Sequence, residues 1–365
     1  MSCAPKTIDE HSFLDRSWTA YKQHYLHADG YVLDRMRGGG EVTSEGQGYA
    51  LLRAAWMDDR ATFERVFAWT ERRLRRPDGF YSWRWTPDAG GKLLDANTAS
   101  DADQEIAFAL LLASRAFNRA DYLARARELL TAIRVHTALP VDNGWFPAAG
   151  NWAVTGRIVN LSYFLPYAYP YFDRVDPEGN WLSVLRTGYE LIARVRAQPG
   201  VRLVPDFMTV TPEGDARTLP PNATVSGEFT SDAMRLYWRV AVDCQLHRNG
   251  VGCDDPLGAS VVTDLLARDG RLFTRYALDG TPRERTESIS FYACALPFLR
   301  LHAPAAAHSL RTERLSASVL DGITGARDRY YDANWVWFGL AAADGVIAQR
   351  TRVLWPDVTT ESNGR

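Results

Sequence analysis

The spacing of apolar residues along the 365-residue chain is predominantly helical. Phe13, Trp18 and Tyr21 lead a first amphipathic segment, residues 45–57 form a second, and Phe63, Val66, Phe67 and Trp69 mark a third. Residues 101–117 are apolar almost all round, the pattern of a helix buried on every side. Residues 119–135 carry one stripe (Tyr122, Leu123, Ala126, Leu129, Leu130, Ile133) with Arg and Glu opposite. Further helices are predicted at 161–174, 180–197, 231–247, 255–268, 287–302, 305–320 and 332–346. Strand-like alternation is confined to short runs such as RLVPDFMTV. About twelve helices, buried ones alternating with amphipathic ones, predict an all-α fold of helical hairpins, either a closed α/α barrel or a solenoid. No fixed-period repeat supports the solenoid. No linker-like stretch divides the chain, so 1–365 is expected to form one domain.

Charge and composition narrow the class. The formal net charge is −2 with no basic block, which argues against nucleic acid as a partner. No apolar run approaches the ~20 residues a membrane span needs. Aromatics make up 12% of the chain, and many stand beside polar residues; a large helical core is the plainer explanation, and flat rings that stack on sugars are the other. The cysteines (Cys3, Cys244, Cys253, Cys294) show no C-x-x-C spacing and the histidines no H-E-x-x-H, so neither a metal nor a cofactor is expected. Cys244 and Cys253 could close a short loop in an oxidising compartment, or remain reduced. The N-terminal run MSCAPKTIDEHSF has no charged-then-apolar export signal.

Serine followed by an acidic or aromatic residue recurs at predicted helix starts: Ser44-Glu45, Ser100-Asp101, Ser231-Asp232 and Ser162-Tyr163. Serine is a favoured N-cap, and Ser44 with Gln47 fits a capping box. In a barrel whose inner helices run the same way, Glu45, Asp101, Asp232 and Tyr163 would meet at one rim. A first-turn carboxylate commonly only complements the helix dipole. Three of them heading unusually apolar helices suggest a cleft, and paired carboxylates across a cleft are what glycosidic cleavage requires. The dipole suits Asp232 as an ionised base; for Glu45 to act as the acid, burial or Asp101 must oppose it.

The run Ala99-Ser100-Asp101-Ala102-Asp103 to Ala113 and Phe117 resembles the signature of glycoside hydrolase family 8. Val42 to Tyr49 is similar to that family's segment around its general acid. Asn160-Leu-Ser-Tyr163-Phe164 resembles its N-P-S-Y-F element, with Leu161 in place of proline. Leu203-Val-Pro-Asp206-Phe207 and Ser231-Asp232-Ala-Met-Arg235 resemble two further segments, in the family's order. The resemblance implies an (α/α)6 barrel and an endo-acting, inverting hydrolase of β-1,4-glucan. Glu45 would be general acid, Asp232 general base, and Asp101 the group holding the sugar at the cleavage point. Arg235 would keep the base ionised, and Tyr163 would position the attacking water. Trp83, Trp152 and Phe291 are candidate sugar platforms, and Asp206 a further substrate-binding residue. Glu228 is a spare carboxylate that could compete as base. Xylan, mixed-linkage glucan and chitosan are alternative substrates, and a non-catalytic glycan-binding or assembly protein is the alternative class. The expected setting is the periplasm or exterior, as a monomer acting on soluble or nascent polysaccharide, with a cellulose-secretion system as a candidate partner.

Overall fold

The computed structural model describes residues 10–36, 40–219, 223–248, 250–356 and 358; Cys3 and the N-terminal run lie partly or wholly outside them. The described residues contain fourteen helices: α1 (Glu10–His24), α2 (Ser44–Trp56), α3 (Arg60–Arg73), α4 (Ser100–Ala116), α5 (Ala120–His136), α6 (Tyr169–Val175), α7 (Trp181–Arg196), α8 (Arg235–Leu246), α9 (Ala259–Asp269), α10 (Ile289–His302), α11 (Pro304–Glu313), α12 (Ala317–Gly325), α13 (Tyr330–Ala343) and α14 (Val346–Leu354). Ten short strands sit in the connections: β1 (Val42–Thr43), β2 (Arg84–Thr86), β3 (Lys92–Asp95), β4 (Ala138–Val141), β5 (Gly144–Pro147), β6 (Ile158–Asn160), β7 (Phe207–Val210), β8 (Ala216–Thr218), β9 (Phe273–Tyr276) and β10 (Pro282–Glu287). They pair as β1-β2-β3, β6-β7-β8 and the hairpins β4-β5 and β9-β10, all antiparallel. Among the described residues no helix is long and apolar enough to cross a membrane.

The apolar patterns sort the helices into two layers. α4 buries every residue from Ser100 to Ala113, whereas α5 buries one stripe, with Arg125 beside it, and leaves Arg127 and Glu128 outward. α2, α8, α10 and α13 resemble α4; α3, α7 and α9 resemble α5. The inner ring runs α2, α4, α6, α8, α10, α13. α13 closes it on α2 where Trp335 and Phe338 meet Tyr49 and Trp337 meets Trp56. This is an (α/α)6 barrel. Close approach is needed between neighbours: a Cβ on Gly339 of α13 would lie 2.2 Å from the Ala293 carbonyl of α10.

Most of the aromatic surplus serves this core. Arg53, fully buried in α2, has no carboxylate partner among the described residues; its guanidinium lies 4.2 to 4.9 Å from the ring centres of Trp18, Tyr21 and Trp337. The ring faces supply the negative potential that a counter-ion would otherwise give.

Three sequence expectations shift. The predicted helix 161–174 is a 3-10 turn (Leu161–Tyr163) followed by α6, because Pro166 disfavours helical backbone at Leu165. The predicted helix 305–320 is two helices, α11 and α12, broken between Glu313 and Ala317. The serines are not the caps. Thr43 caps α2, accepting from the Gly46 amide at 3.0 Å, and Ala99 holds the cap position of α4. Gln47 instead ties three segments together: it accepts from the Val32 amide and donates to the Gly30 carbonyl and the Thr70 hydroxyl.

Asp243 of α8 gives a test of the core. It is buried, receives the Tyr189 hydroxyl on one oxygen, and has no partner for the other among the described residues. Burial pushes its carboxyl up to about 7. A carboxyl raised on folding adds stability at low pH, and that contribution is lost as pH rises through the folded value. Asp243→Asn is therefore expected to be more stable than wild type at pH 8, by up to about 4 kcal/mol, with a higher melting temperature there and little change at pH 4. Equal shifts at both pH values would exclude this account.

Candidate active site

The N-terminal ends of three inner segments bring the carboxylates together. β1 leads directly into α2, so Glu45 stands in the first helical turn; Asp101 occupies the same place in α4. Asp232 differs from expectation: α8 begins at Arg235, and residues 231–234 form a turn ahead of it. The side chains of Glu45 and Asp232 are 20% and 27% exposed, facing the cleft, while Asp101 is almost wholly buried.

Arg235 lies at the centre, with no exposed side-chain surface. Its Nη1 donates to Glu45, to Asp101 Oδ2 (3.1 Å) and to the Tyr49 hydroxyl (3.1 Å). Its Nη2 donates to the Ser162 hydroxyl (3.2 Å) and meets Asp232 Oδ1 at 3.1 Å. Asn160, at the end of β6, donates to the other Asp232 oxygen at 3.1 Å. Tyr163 covers the arginine, its ring centre 5.3 Å from Cζ. One turn further along α8, buried Arg239 donates to the Ser162 carbonyl and to Glu105, whose carboxyl burial pushes up to about 8.

Three carboxylates thus share one guanidinium. With all three ionised the cluster would carry two uncompensated negative charges in a largely buried site, so it tends to retain a proton. Asp101 shows the balance: burial raises its carboxyl to about 6, with Glu45 and Asp232 pushing the same way and Arg235 opposing. Two partly exposed carboxylates that face one cleft beside a buried third are placed to give and take a proton across a bound molecule.

Beside this cluster Trp83, Trp152, Tyr163 and Phe207 line a cavity of about 310 Å³, with Asn97 and Asp95 at its edge. Trp152 is 38% exposed and meets Phe207 with the rings tilted at 56°. The cavity joins aromatic walls to polar edges, the combination that binds sugar rings.

The pattern described as "Glycosyl hydrolases family 8" matches residues 6–342. The chain belongs to glycosyl hydrolase family 8. Its relatives include an endoglucanase of Xanthomonas axonopodis pv. citri, 28% identical over 321 residues, covering 82% of this chain and 78% of that protein. An endoglucanase of Salmonella typhi is 26% identical over 348 residues (88% and 85%). Among solved structures, the endo-β-1,4-glucanase CMCax from Acetobacter xylinum superposes with a TM-score of 0.73 at 24% identity, covering 90% and 98% of the two chains. A cold-adapted family 8 xylanase superposes at 0.79 with 15% identity (94% and 92%). These likenesses establish the barrel.

In this family 8 glycoside hydrolase the structure gathers Glu45, Asp101, Tyr163, Asp232 and Arg235, and sets Trp83 and Trp152 beside them. Two expected residues fall elsewhere. Phe291 is fully buried in α10 against Phe229 and Tyr237, so it has no free face for a sugar. Asp206 is 2% exposed, with its carboxylate turned to the backbone of residues 230–233 rather than to the cleft. Glu228 pairs with Arg275 (2.6 Å) and Arg283 (2.9 Å) and is thereby neutralised away from the cluster. Tyr331 of α13 escaped sequence analysis: its hydroxyl donates to the Ser231 carbonyl at 2.7 Å. Nothing in its local sequence, an aromatic in an aromatic-rich buried helix, distinguishes it from core.

Proposed function

We propose that this glycoside hydrolase is an endo-acting β-1,4-glucanase that inverts the anomeric centre. Glu45 is its general acid and Asp232 its general base. The observation that carries the assignment is their attachment to opposite arms of the Arg235 fork, with no hydrogen bond between them. One guanidinium with a hydrogen bond on each side allows a separation of up to roughly 8 Å, which overlaps the about 6.5–9.5 Å at which inverting enzymes hold the pair so that water fits beside the sugar. Glu45 gives its proton to the glycosidic oxygen as the bond to the anomeric carbon breaks. Asp232 takes a proton from water as that water's oxygen bonds to the opposite face of the same carbon. One water is consumed, and solvent returns the proton from Asp232 to Glu45.

Asp101 accepts a sugar hydroxyl at the cleavage point, and Tyr163 positions the water. Trp83 and Trp152 stack on flanking sugars. The endoglucanase names of the relatives support glucan as substrate. Cys244 and Cys253 are disulfide-bonded, which supports a periplasmic or external setting.

A panel of carboxymethylcellulose, lichenan, xylan and chitosan, scored by new reducing ends, tests the substrate. The expected result is fastest cleavage of the β-1,4-glucans, with the α-anomer appearing first in proton NMR. Preference for xylan would move the assignment to the structural likeness shared with the xylanase, and an initial β-anomer would refute inversion.

A further inference from the structure

The base stands on a turn, not on a helix. Because α8 starts at Arg235, residues 231–234 lie ahead of the regular helix; the turn is joined to it by three-residue steps, with the amides of Arg235, Leu236 and Tyr237 donating to the carbonyls of Asp232 (3.1 Å), Ala233 (3.1 Å) and Met234 (3.3 Å), and the Met234 amide reaches the Thr230 carbonyl at 3.3 Å. Arg235 and Asn160 hold the two oxygens of the Asp232 carboxylate, and the backbone turn that carries it has an anchor of its own. Asp206, on the loop entering β7, meets the turn on both sides of the base. Its Oδ1 accepts from the Thr230 amide and from the Ala233 amide, each at 2.9 Å, and its Oδ2 accepts from the Thr230 hydroxyl at 2.6 Å. Asp206 is itself anchored, its amide donating to the Glu228 carbonyl at 2.8 Å.

We propose that Asp206 is a positioning residue for the general base: its carboxylate clamps the turn 230–233 and so holds Asp232 at the angle from which it can deprotonate water. The proposal rests on Asp232 being that base. Hydrogen bonds to an ionised acceptor are shorter and roughly twice as strong as neutral ones, and three of them converge here. Two further contacts bracket the same turn, Tyr331 on the Ser231 carbonyl and Asn160 on Asp232 itself, but Asp206 engages backbone amides on either side of the base.

The clamp also depends on charge. Burial, and then the nearby Asp232 carboxylate, push Asp206 up to about 7. The other ionisable groups around the turn are committed elsewhere: Glu228 to Arg275 and Arg283, and Arg235 to Glu45, Asp101 and Asp232. Above that pH the carboxylate accepts all three donors; as pH falls through it, the proton occupies an oxygen and weakens the clamp.

The test compares wild type with Asp206→Asn, Thr230→Val and Asp232→Asn on a soluble β-glucan from pH 5 to 9. Asparagine can still accept two amides, but it has no charge and does not titrate. A misplacement of about 1 Å costs on the order of 10²-fold in rate, so Asp206→Asn is expected to lower kcat by about 10- to 100-fold with KM within about twofold. Its acid-side fall in kcat should move to lower pH. Thr230→Val, which removes one of the three bonds, should lower kcat about three- to tenfold and keep the wild-type acid limb.

Wild-type kcat in Asp206→Asn, or a loss confined to KM, overturns the proposal; a lowered kcat with an unmoved acid limb overturns the role of the charge. If circular dichroism shows that Asp206→Asn does not fold, Thr230→Val decides, and wild-type kcat there overturns the clamp. Substantial activity in Asp232→Asn refutes the base assignment itself. An inactive Asp232→Asn beside a fully active Asp206→Asn refutes only the clamp.

Discussion

Asp232→Asn and Glu45→Gln are each expected to lower kcat on soluble β-glucan by at least about 10²- to 10⁴-fold, the range a positioned acid or base contributes, while the fold persists. Both substitutions keep the side-chain shape. The asparagine oxygen can still accept from either Asn160 or the Arg235 fork, and the glutamine oxygen from Arg235, so only one side-chain contact is lost and the far-ultraviolet dichroism should match wild type. What each loses is proton transfer, and the two losses differ. A leaving group that needs no protonation, such as a nitrophenolate on a cello-oligosaccharide, bypasses the acid. Glu45→Gln should recover much of its rate on that substrate, whereas Asp232→Asn should not, because water still has to be deprotonated. Near-normal cleavage of the polymer by either variant would end the assignment, and equal recovery by both would reverse or merge the roles.

The second large effect is on stability. Arg235→Met keeps the aliphatic stem and removes the charge on which Glu45, Asp101 and Asp232 converge. Breaking a buried ion pair from one side costs about 3–5 kcal/mol, because the remaining charge stays buried without compensation. Asp101 carries most of that cost, being almost wholly buried. Its folded-state carboxyl is raised to about 6 even with the arginine opposing, so without it the carboxyl moves higher still. A carboxyl raised on folding favours the protonated folded state. The variant should therefore approach wild-type stability near pH 4 and lose it as pH rises through 6 and beyond. Melting temperatures measured at pH 4 and pH 8 check this: the deficit must be much larger at pH 8. Arg235→Lys restores the charge but not the fork, and should recover stability without recovering kcat. A pH-independent deficit in Arg235→Met would mean that lost packing, not charge, is responsible.

The proposed clamp and the arginine fork together describe a site whose acid and base are held by different means. Glu45 rides on a regular helix capped by Thr43, so its position follows from α2 as a whole. Asp232 depends on side chains from three other segments, Asn160, Asp206 and Tyr331. Variants outside the carboxylate cluster should accordingly disturb the base more readily than the acid.

Much of this was legible before the structure. The contrast between residues 101–117, apolar all round, and 119–135, apolar on one stripe, follows from the 3.6-residue period alone and separates inner from outer helices. The acidic residues heading the apolar segments mark one rim, since inner helices running the same way put their starts at one end. Both are local properties of the chain, and local patterns determine which face of a helix is buried and which residues lead it. Partnership is not local. Arg235 meets Glu45 190 residues away and Asp101 134 residues away, and the same arginine on another barrel register would meet neither. Phe291 and Asp206 were cleft candidates through the family resemblance, yet burial makes one of them core and turns the other toward a backbone turn. The sequence by itself determined the helical layers and the carboxylates of the rim, and its family resemblance implied the barrel. The tertiary structure alone decided which of them share the arginine, and what holds the base, because a side chain's direction depends on neighbours that only the closed ring brings near.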